Sequence, residues 1–298
     1  FAVYLQPKVN LVTGKPYGAE ALVRWIHPER GMISPGEFIP IYERNGIIGR
    51  LDQYMWRSVC KLLRKWLDEG KNPDPISVNV SMVNIYNPHL VEIFNKLITE
   101  FQIPPHLLNL EITESAFMED QALIMKTMHR LHELGFRIMM DDFGSGYSSL
   151  NMLKSVPVDV LKMDMRFLEI KESEAAKGIG ILESVVNMAR QMQIPIVVEG
   201  VETEAQESIL LKMGCRYAQG YYYYRPMPVE DFEALVHNPK KVDYNGIWNR
   251  QTEAVHLREF LDVNLINDVT FNNIIGPAAF YDMFDNRIEI TRVNEQYY

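Results

Sequence analysis

Between residue 2 and about residue 235, short apolar runs rich in Val, Ile and Leu alternate with longer stretches whose apolar residues recur at helical spacing. The runs are Ala2–Gln6, Gly18–Trp25, Ile76–Val80, Leu107–Thr113, Phe136–Asp142, Val158–Met163, Ile194–Glu199 and Tyr217–Tyr223. Most are continuous rather than alternating, the pattern of parallel strands buried on both faces. The clearest helix is Leu51–Asp68, where Leu51, Met55, Val59, Leu62, Leu63 and Trp66 share one face and Gly70 closes the segment. Gln121–Leu134 ends at Gly135, Glu204–Met213 ends at Gly214, and each is followed at once by a strand. Eight such units over ~240 residues predict an α/β fold of the TIM-type (β/α)8 barrel; a doubly wound open sheet is the alternative.

After Pro239 the rhythm stops. This divides the chain into a barrel at 1–239 and a segment at 240–298. In the second part Lys240–Gly246 reads as a linker and Gln251–Val269 as a helix. Ala278–Phe284 and Arg287–Val293, joined by Asp285-Asn286, read as a β-hairpin. The segment loosely resembles the start of a PAS-type sensor domain, and a bare linker helix is the other reading. The chain opens at Phe1 directly into a strand-like run and stops at Tyr298 without a change of composition, which suggests a piece of a longer protein.

Composition narrows the function classes. Lys plus Arg number 30 against 39 Asp plus Glu, a net charge of -9, which argues against a nucleic-acid polymer as partner. No apolar run approaches the ~18–20 residues of a membrane span, so no membrane contact is expected of these residues, and the scarcity of cysteine suggests a reducing, cytoplasmic location, with an anchor elsewhere in the full protein left open. The two cysteines, Cys60 and Cys215, make neither a disulfide framework nor a zinc set. His129 and His132 have i, i+3 spacing on an outer helix and read as plain surface residues.

The informative polar residues sit at the ends of apolar strands. Glu20, Asn79, Glu111, Asp141 with Asp142, Lys162, Glu199 and Gln219 come from seven different runs. In a barrel these ends meet at one rim, where active sites of this fold lie. Two carboxylates ~4–5 Å apart repel by roughly 3–4 kcal/mol at an effective dielectric of ~20, so five in one half-buried rim require cations or protons. Carboxylates plus an amide suit Mg²⁺ or Mn²⁺ better than zinc. The adjacent pair Asp141-Asp142 suits a bridged two-metal centre acting on a phosphoryl group. Arg24 shares a sheet face with Glu20 by the period of two and is suited to a phosphate; a structural salt bridge is its alternative.

The motifs GAEALVRW at 18–25, SVNVS at 77–81, LEITES at 110–115 and DDFGSGYSSL at 141–150 resemble those of the EAL domain family. LKMD at 161–164, VEGVET at 198–203, QGYYYYRPMP at 219–228 and the opening LQPKV at 5–9 are similar to its remaining motifs, in the same order. The resemblance covers residues 1 to about 237. It implies a modified TIM barrel with an antiparallel first strand, and a phosphodiesterase that opens cyclic di-GMP to linear pGpG with Mg²⁺ or Mn²⁺. A cyclic di-GMP receptor without hydrolysis is the alternative; such members typically lack metal ligands or the lysine, and all are present here.

Carried over by motif, the resemblance implies Glu20, Asn79, Glu111 and Asp141 around a first metal, with Asp141 shared and Asp142 and Glu199 at a second. Ca²⁺ is expected to bind without turnover. Lys162 would orient or deprotonate the attacking water, and a lysine among cations has reason for a lowered pKa. Gln6, Leu22, Arg24, Gln219 and Pro226 would contact the dinucleotide. Glu114, Gly144, Gly146, Ser148, Asp164 and Glu202 would support the site, Glu114 by holding the loop after Asp142. Glu202 could instead cap the helix beginning near Thr203. A homodimer through helices near residues 145–190, and cyclase or sensor domains elsewhere in the full chain, are further expectations. Val198, Arg216 and Asn84 depart from the family's usual residues, and none is a ligand or the lysine. The tyrosine run 221–224 reads as a strand with alternate burial.

Overall fold

The computed structural model describes residues 1–118, 120–144, 156–165, 175–236, 279–284 and 287–293. The chain divides into two compact units, Phe1–Ile247 and Trp248–Tyr298. The first is a closed eight-stranded barrel, which excludes the open doubly wound sheet.

Strand β1 (Ala2–Asn10) turns at Gly14, which adopts φ 67, into β2 (Lys15–His27). A positive φ is the conformation glycine takes without steric cost. The outer end of β2 carries a short third strand, β3 (Gly31–Ile33), followed by helices α1 (Pro35–Arg44) and α2 (Ile48–Asp68). Then follow β4 (Ile76–Asn79), α3 (Met82–Ile85), α4 (Leu90–Phe101), β5 (Leu108–Thr113), α5 (Gln121–Glu133), β6 (Arg137–Asp141) and β7 (Val160–Asp164). The unit is completed by α6 (Ala175–Gln191), β8 (Ile196–Glu199), α7 (Glu204–Lys212), β9 (Tyr217–Ala218), β10 (Met227–Pro228) and α8 (Val229–Val236).

Seven barrel strands, β2, β4, β5, β6, β7, β8 and β9, pair in parallel. The barrel is closed by β1, antiparallel to both β2 and β9. The first strand is therefore reversed, as the family resemblance implies. Its register sets Gln6 opposite Glu20 and Tyr4 opposite Leu22.

The period of two sorts the strand residues. On β4 to β8 the positions Val78, Leu110, Ile138, Met140, Leu161, Met163 and Val198 are buried in the apolar core with residues of the helices. The alternate positions Ser77, Glu111, Asp141, Lys162 and Glu199 carry the polar groups. Helix α2 buries Leu51, Met55, Trp56, Val59, Cys60, Leu63 and Trp66. Trp56 Nε1 donates to the Asn79 carbonyl at 2.9 Å, and its ring lies 4.4 Å from that of Phe94. The helix packing thus reaches the strand end that presents the Asn79 amide.

The eighth barrel strand is shorter than the pattern predicts. It spans Tyr217–Ala218, and Tyr221–Tyr223 form a turn rather than a strand. The reason lies at Gly220. A β-carbon there would stand 2.1 Å from the Val201 carbonyl oxygen and 2.4 Å from its nitrogen. This close backbone crossing, with Tyr222 N–H donating to the Val201 carbonyl at 3.0 Å, bends the chain off the sheet. Gly220→Ala is expected to destabilise the fold by about 3 kcal/mol, because backbone rather than a flexible side chain must give way. Thermal melting of that variant tests this, and an unchanged midpoint would reject the crossing.

In the second unit β11 (Ala279–Phe284) and β12 (Arg287–Val293) pair antiparallel, the hairpin the sequence predicts. The expected helix at 251–269 lies outside the described residues.

Candidate active site

Four carboxylates from four strands converge on one ammonium group. Lys162 Nζ, from β7, lies 2.5 Å from Glu111 Oε2, 2.7 Å from Glu199 Oε1, 3.3 Å from Asp141 Oδ1 and 3.4 Å from Glu20 Oε2. Lys162 is only 1% exposed. The Glu111 contact is an aligned hydrogen bond. Glu199 Oε1 has no hydrogen-bond alignment, so its attraction to Lys162 is through charge.

A second lysine stands beneath them. Lys8 Nζ donates to Glu111 Oε1 at 2.8 Å and to Ser77 Oγ at 2.6 Å, with Met139 Sδ at 3.5 Å. The sequence pattern does not single out Lys8 or Ser77. The signal available was a lone cation two residues beyond Gln6, on the same strand face.

A ladder of amides rims the cluster. Asn79 Nδ2 donates to Glu20 Oε1 at 3.1 Å, and Gln219 Nε2 donates to Glu20 Oε2 at 2.8 Å and to Gln6 Oε1 at 3.1 Å. Gln6 Nε2 donates in turn to the Tyr224 carbonyl at 3.0 Å. The reversed β1 thereby brings Gln6 to the same rim as strand ends that run the other way.

The charges do not balance. Burial pushes the Glu199 carboxyl well above the ordinary range, with Lys162 opposing and Asp141, Glu20 and Glu111 adding to the rise. Burial likewise raises Glu20, with Glu111 next, and raises Asp141. Burial acts the same way on Glu111, but Lys162 and Lys8 outweigh it and hold that carboxyl down to about 2. For Lys162, burial works to lower the pKa, yet the four carboxylates hold it well above the ordinary lysine range. A lowered value, expected of a lysine among cations, is the opposite of what the protein's own charges produce.

The donor set fits a hard divalent cation. Four carboxylates face two ammonium groups, three of the four are pushed toward protonation, and every candidate ligand atom is oxygen. Among the described residues, no three acidic, histidine or cysteine side chains already enclose a common point, because Lys162 stands between them.

The remaining predicted residues fall as follows. Asp142 lies just past the end of β6 with φ 55, and its N–H donates to Asp141 Oδ1 at 2.9 Å. This left-handed turn is tolerated by aspartate better than by most residues. Glu114 is buried, and its Oε2 accepts from the Gly144 N–H at 2.7 Å. Gly146 and Ser148 lie outside the described residues. Asp164 is in register with Glu199 on the neighbouring strand. Leu22 and Pro226 are half-buried, Leu22 two residues beyond Glu20 on β2 and Pro226 just before β10.

Arg24 donates from Nη1 to the Val23 carbonyl at 2.9 Å and lies 5.6 Å from the Tyr4 ring centre. Among the described residues it forms no salt bridge, the other role its sequence position suggests. Glu202 is exposed and does not cap α7. Thr203 does so, in a reciprocal capping box with Gln206. His129 is exposed, whereas His132 is more than a plain surface residue: its Nε2 lies 2.8 Å from Asp159 Oδ2. Asn84 is buried, bridging the Gly49 carbonyl and Asp52 Oδ2.

A family model described as "EAL domain" matches residues 1–226. The bifunctional diguanylate cyclase/cyclic di-GMP phosphodiesterase MucR of Pseudomonas aeruginosa is 37% identical over 234 residues, 78% of this chain and 34% of that protein. Signaling protein YkoW of Bacillus subtilis is 34% identical over 236 residues, 79% of this chain and 29% of that protein. The chain spans about a third of the length of these curated relatives. Among solved structures, a MucR phosphodiesterase in complex with c-di-GMP superposes with a TM-score of 0.73 at 37% identity, covering 78% of this chain and 93% of that one.

Proposed function

The chain belongs to the EAL domain family, and we propose that it hydrolyses cyclic di-GMP to linear pGpG with Mg²⁺ or Mn²⁺. The observation that carries this reading is the meeting of Glu20, Glu111, Asp141 and Glu199 on Lys162 at the barrel mouth. The MucR relative, a cyclic di-GMP phosphodiesterase by name, supports the substrate.

Glu20, Asn79, Glu111 and Asp141 would hold one cation, and Asp141 with Asp142 and Glu199 a second. When bound, the cations supply charge stabilisation for the phosphoryl oxygens and make water more acidic. Lys162 would orient the water that attacks phosphorus in line, a role its position among the four carboxylates supports. Arg24 takes a phosphate through its guanidinium, the geometry that group serves well. Gln6, Gln219, Leu22 and Pro226 line the path of the dinucleotide, and the Gln6–Gln219 bond fixes the two amides relative to Glu20. Glu114 steadies the turn after Asp142 through Gly144.

Among the described residues no helix is long and apolar enough to cross a membrane. Pairing of two copies through the region of α6, and further signalling domains in the full-length protein, belong to the same proposal. Incubation of the purified chain with cyclic di-GMP and Mg²⁺, with products separated by chromatography, tests it. The expected product is pGpG, absent when a chelator is added. Tight binding without product under both Mg²⁺ and Mn²⁺ would replace the enzyme with a receptor.

A further inference from the structure

Glu111 is held from two sides, and the two sides differ. Its Oε2 faces the mouth, where Lys162 also meets Asp141, Glu199 and Glu20. Its Oε1 faces Lys8, whose sole carboxylate partner among the described residues is Glu111. Lys8 is itself firmly placed. It is 3% exposed, Ser77 Oγ and Met139 Sδ complete its surroundings, and its strand position is fixed opposite Gly18. Ser77 is fully buried and its hydroxyl also reaches the Ala19 carbonyl at 3.4 Å. The ammonium therefore cannot follow Glu111 if the carboxylate turns.

A cation at the mouth would take Oε2 over from Lys162, which has Asp141, Glu199 and Glu20 to turn to, whereas Oε1 stays with Lys8, which has no other carboxylate among the described residues. That restriction separates two divalent ions. Mg²⁺ takes near-ideal octahedral geometry with one oxygen from each carboxylate, whereas Ca²⁺ accepts six to eight oxygens and readily takes both from one carboxylate. We propose that Lys8 is a metal-selectivity determinant: by holding Glu111 Oε1 it confines Glu111 to binding through Oε2, favouring Mg²⁺ over Ca²⁺. This rests on Glu111 being a metal ligand, as in the proposed function. Lys8 acts through Glu111 and is a positioning residue, touching neither substrate nor metal.

The test is calorimetric titration of the purified chain with MgCl₂ alone and CaCl₂ alone. The proteins compared are wild type, Lys8→Met, Ser77→Ala and Glu111→Gln. Partners that orient a metal ligand typically change metal affinity 10–100-fold when removed. The expected result in Lys8→Met is a shift of the Ca²⁺-to-Mg²⁺ affinity ratio by about tenfold or more toward Ca²⁺. Ser77→Ala, which keeps the charge and loosens its aim, shifts the ratio in the same direction by less. Should Lys8→Met fail to fold, Ser77→Ala decides. A lysine acting only as counter-charge would change both affinities by one factor, since both ions carry the same charge; that result, or an unchanged ratio in Ser77→Ala when it alone can be measured, overturns the proposal. Wild-type binding of both ions that persists unaltered in Glu111→Gln would instead overturn the ligand assignment beneath it.

Discussion

Glu20→Ala is expected to abolish turnover of cyclic di-GMP while leaving the barrel folded. Partners that merely orient a metal ligand cost about 10–100-fold when removed, so loss of a ligand itself should exceed a hundredfold in kcat. Three interactions disappear together. Asn79 Nδ2 loses its acceptor, Gln219 Nε2 loses one of its two, and Lys162 loses one of its four carboxylates. The fold should tolerate this. Glu20 is a buried group that burial pushes toward the neutral form, so its removal relieves repulsion with Glu111. The checks are steady-state kinetics with Mg²⁺ and a thermal melt in chelator. Near-normal turnover would reject the site, whereas inactivity with a collapsed melt would leave Glu20→Gln as the deciding variant.

Lys162→Met should remove turnover and also destabilise the metal-free protein. Four carboxylates would then share the mouth with Lys8 alone, which reaches only Glu111. Removing one partner from a buried charge cluster costs about 3–5 kcal/mol because the remaining charges are left uncompensated. Partial protonation of Glu199, Glu20 and Asp141, already favoured by their burial, would bring the loss toward the lower figure. Divalent cations should recover part of it, since ligands that bind the folded state stabilise it by mass action. The measurement is a pair of melts, with chelator and with Mg²⁺, for wild type and variant. A larger Mg²⁺-induced rise in the variant is expected; equal melting points for the two proteins in chelator would show that Lys162 is not the counter-ion of the cluster.

Much of this site can be read from the chain because polar groups interrupt apolar runs. Glu20 stands between Ala19 and Ala21, Glu111 between Leu110 and Ile112, and Lys162 between Leu161 and Met163, and the barrel brings such positions together. What stayed hidden has a physical cause in each case. The period of two is the same whichever way a strand runs, so the reversal of β1 leaves no mark in its residues. Lys8 escaped for a related reason: the apolar pattern fades at Gln6, whereas pairing with β2 carries the strand on to Asn10. Tyr221–Tyr223 favour a strand by residue type, but the crossing of Gly220 over Val201 is a tertiary contact that local preference does not encode. The left-handed turn at Asp142 likewise ends β6 one residue before the acidic pair is complete.

The reversed first strand also decides where force on the backbone would act. In the register of β1 with β2, Ala2 is level with Arg24, beyond Glu20, while Asn10 lies at the opposite end. The backbone thus enters the barrel from its mouth, where a barrel of uniformly parallel strands would be entered from below. A pull along β1 would load the pairings of Ala2–Leu5 with β2 and β10, then the Gln6–Gln219 and Gln6–Tyr224 bonds, and only afterwards reach Lys8. A slip by one pleat repeat, about 7 Å, would carry Gln6 out of reach of both. The strand is in this sense a drawbar: mechanical load at the amino end is delivered to the amides that grip Glu20.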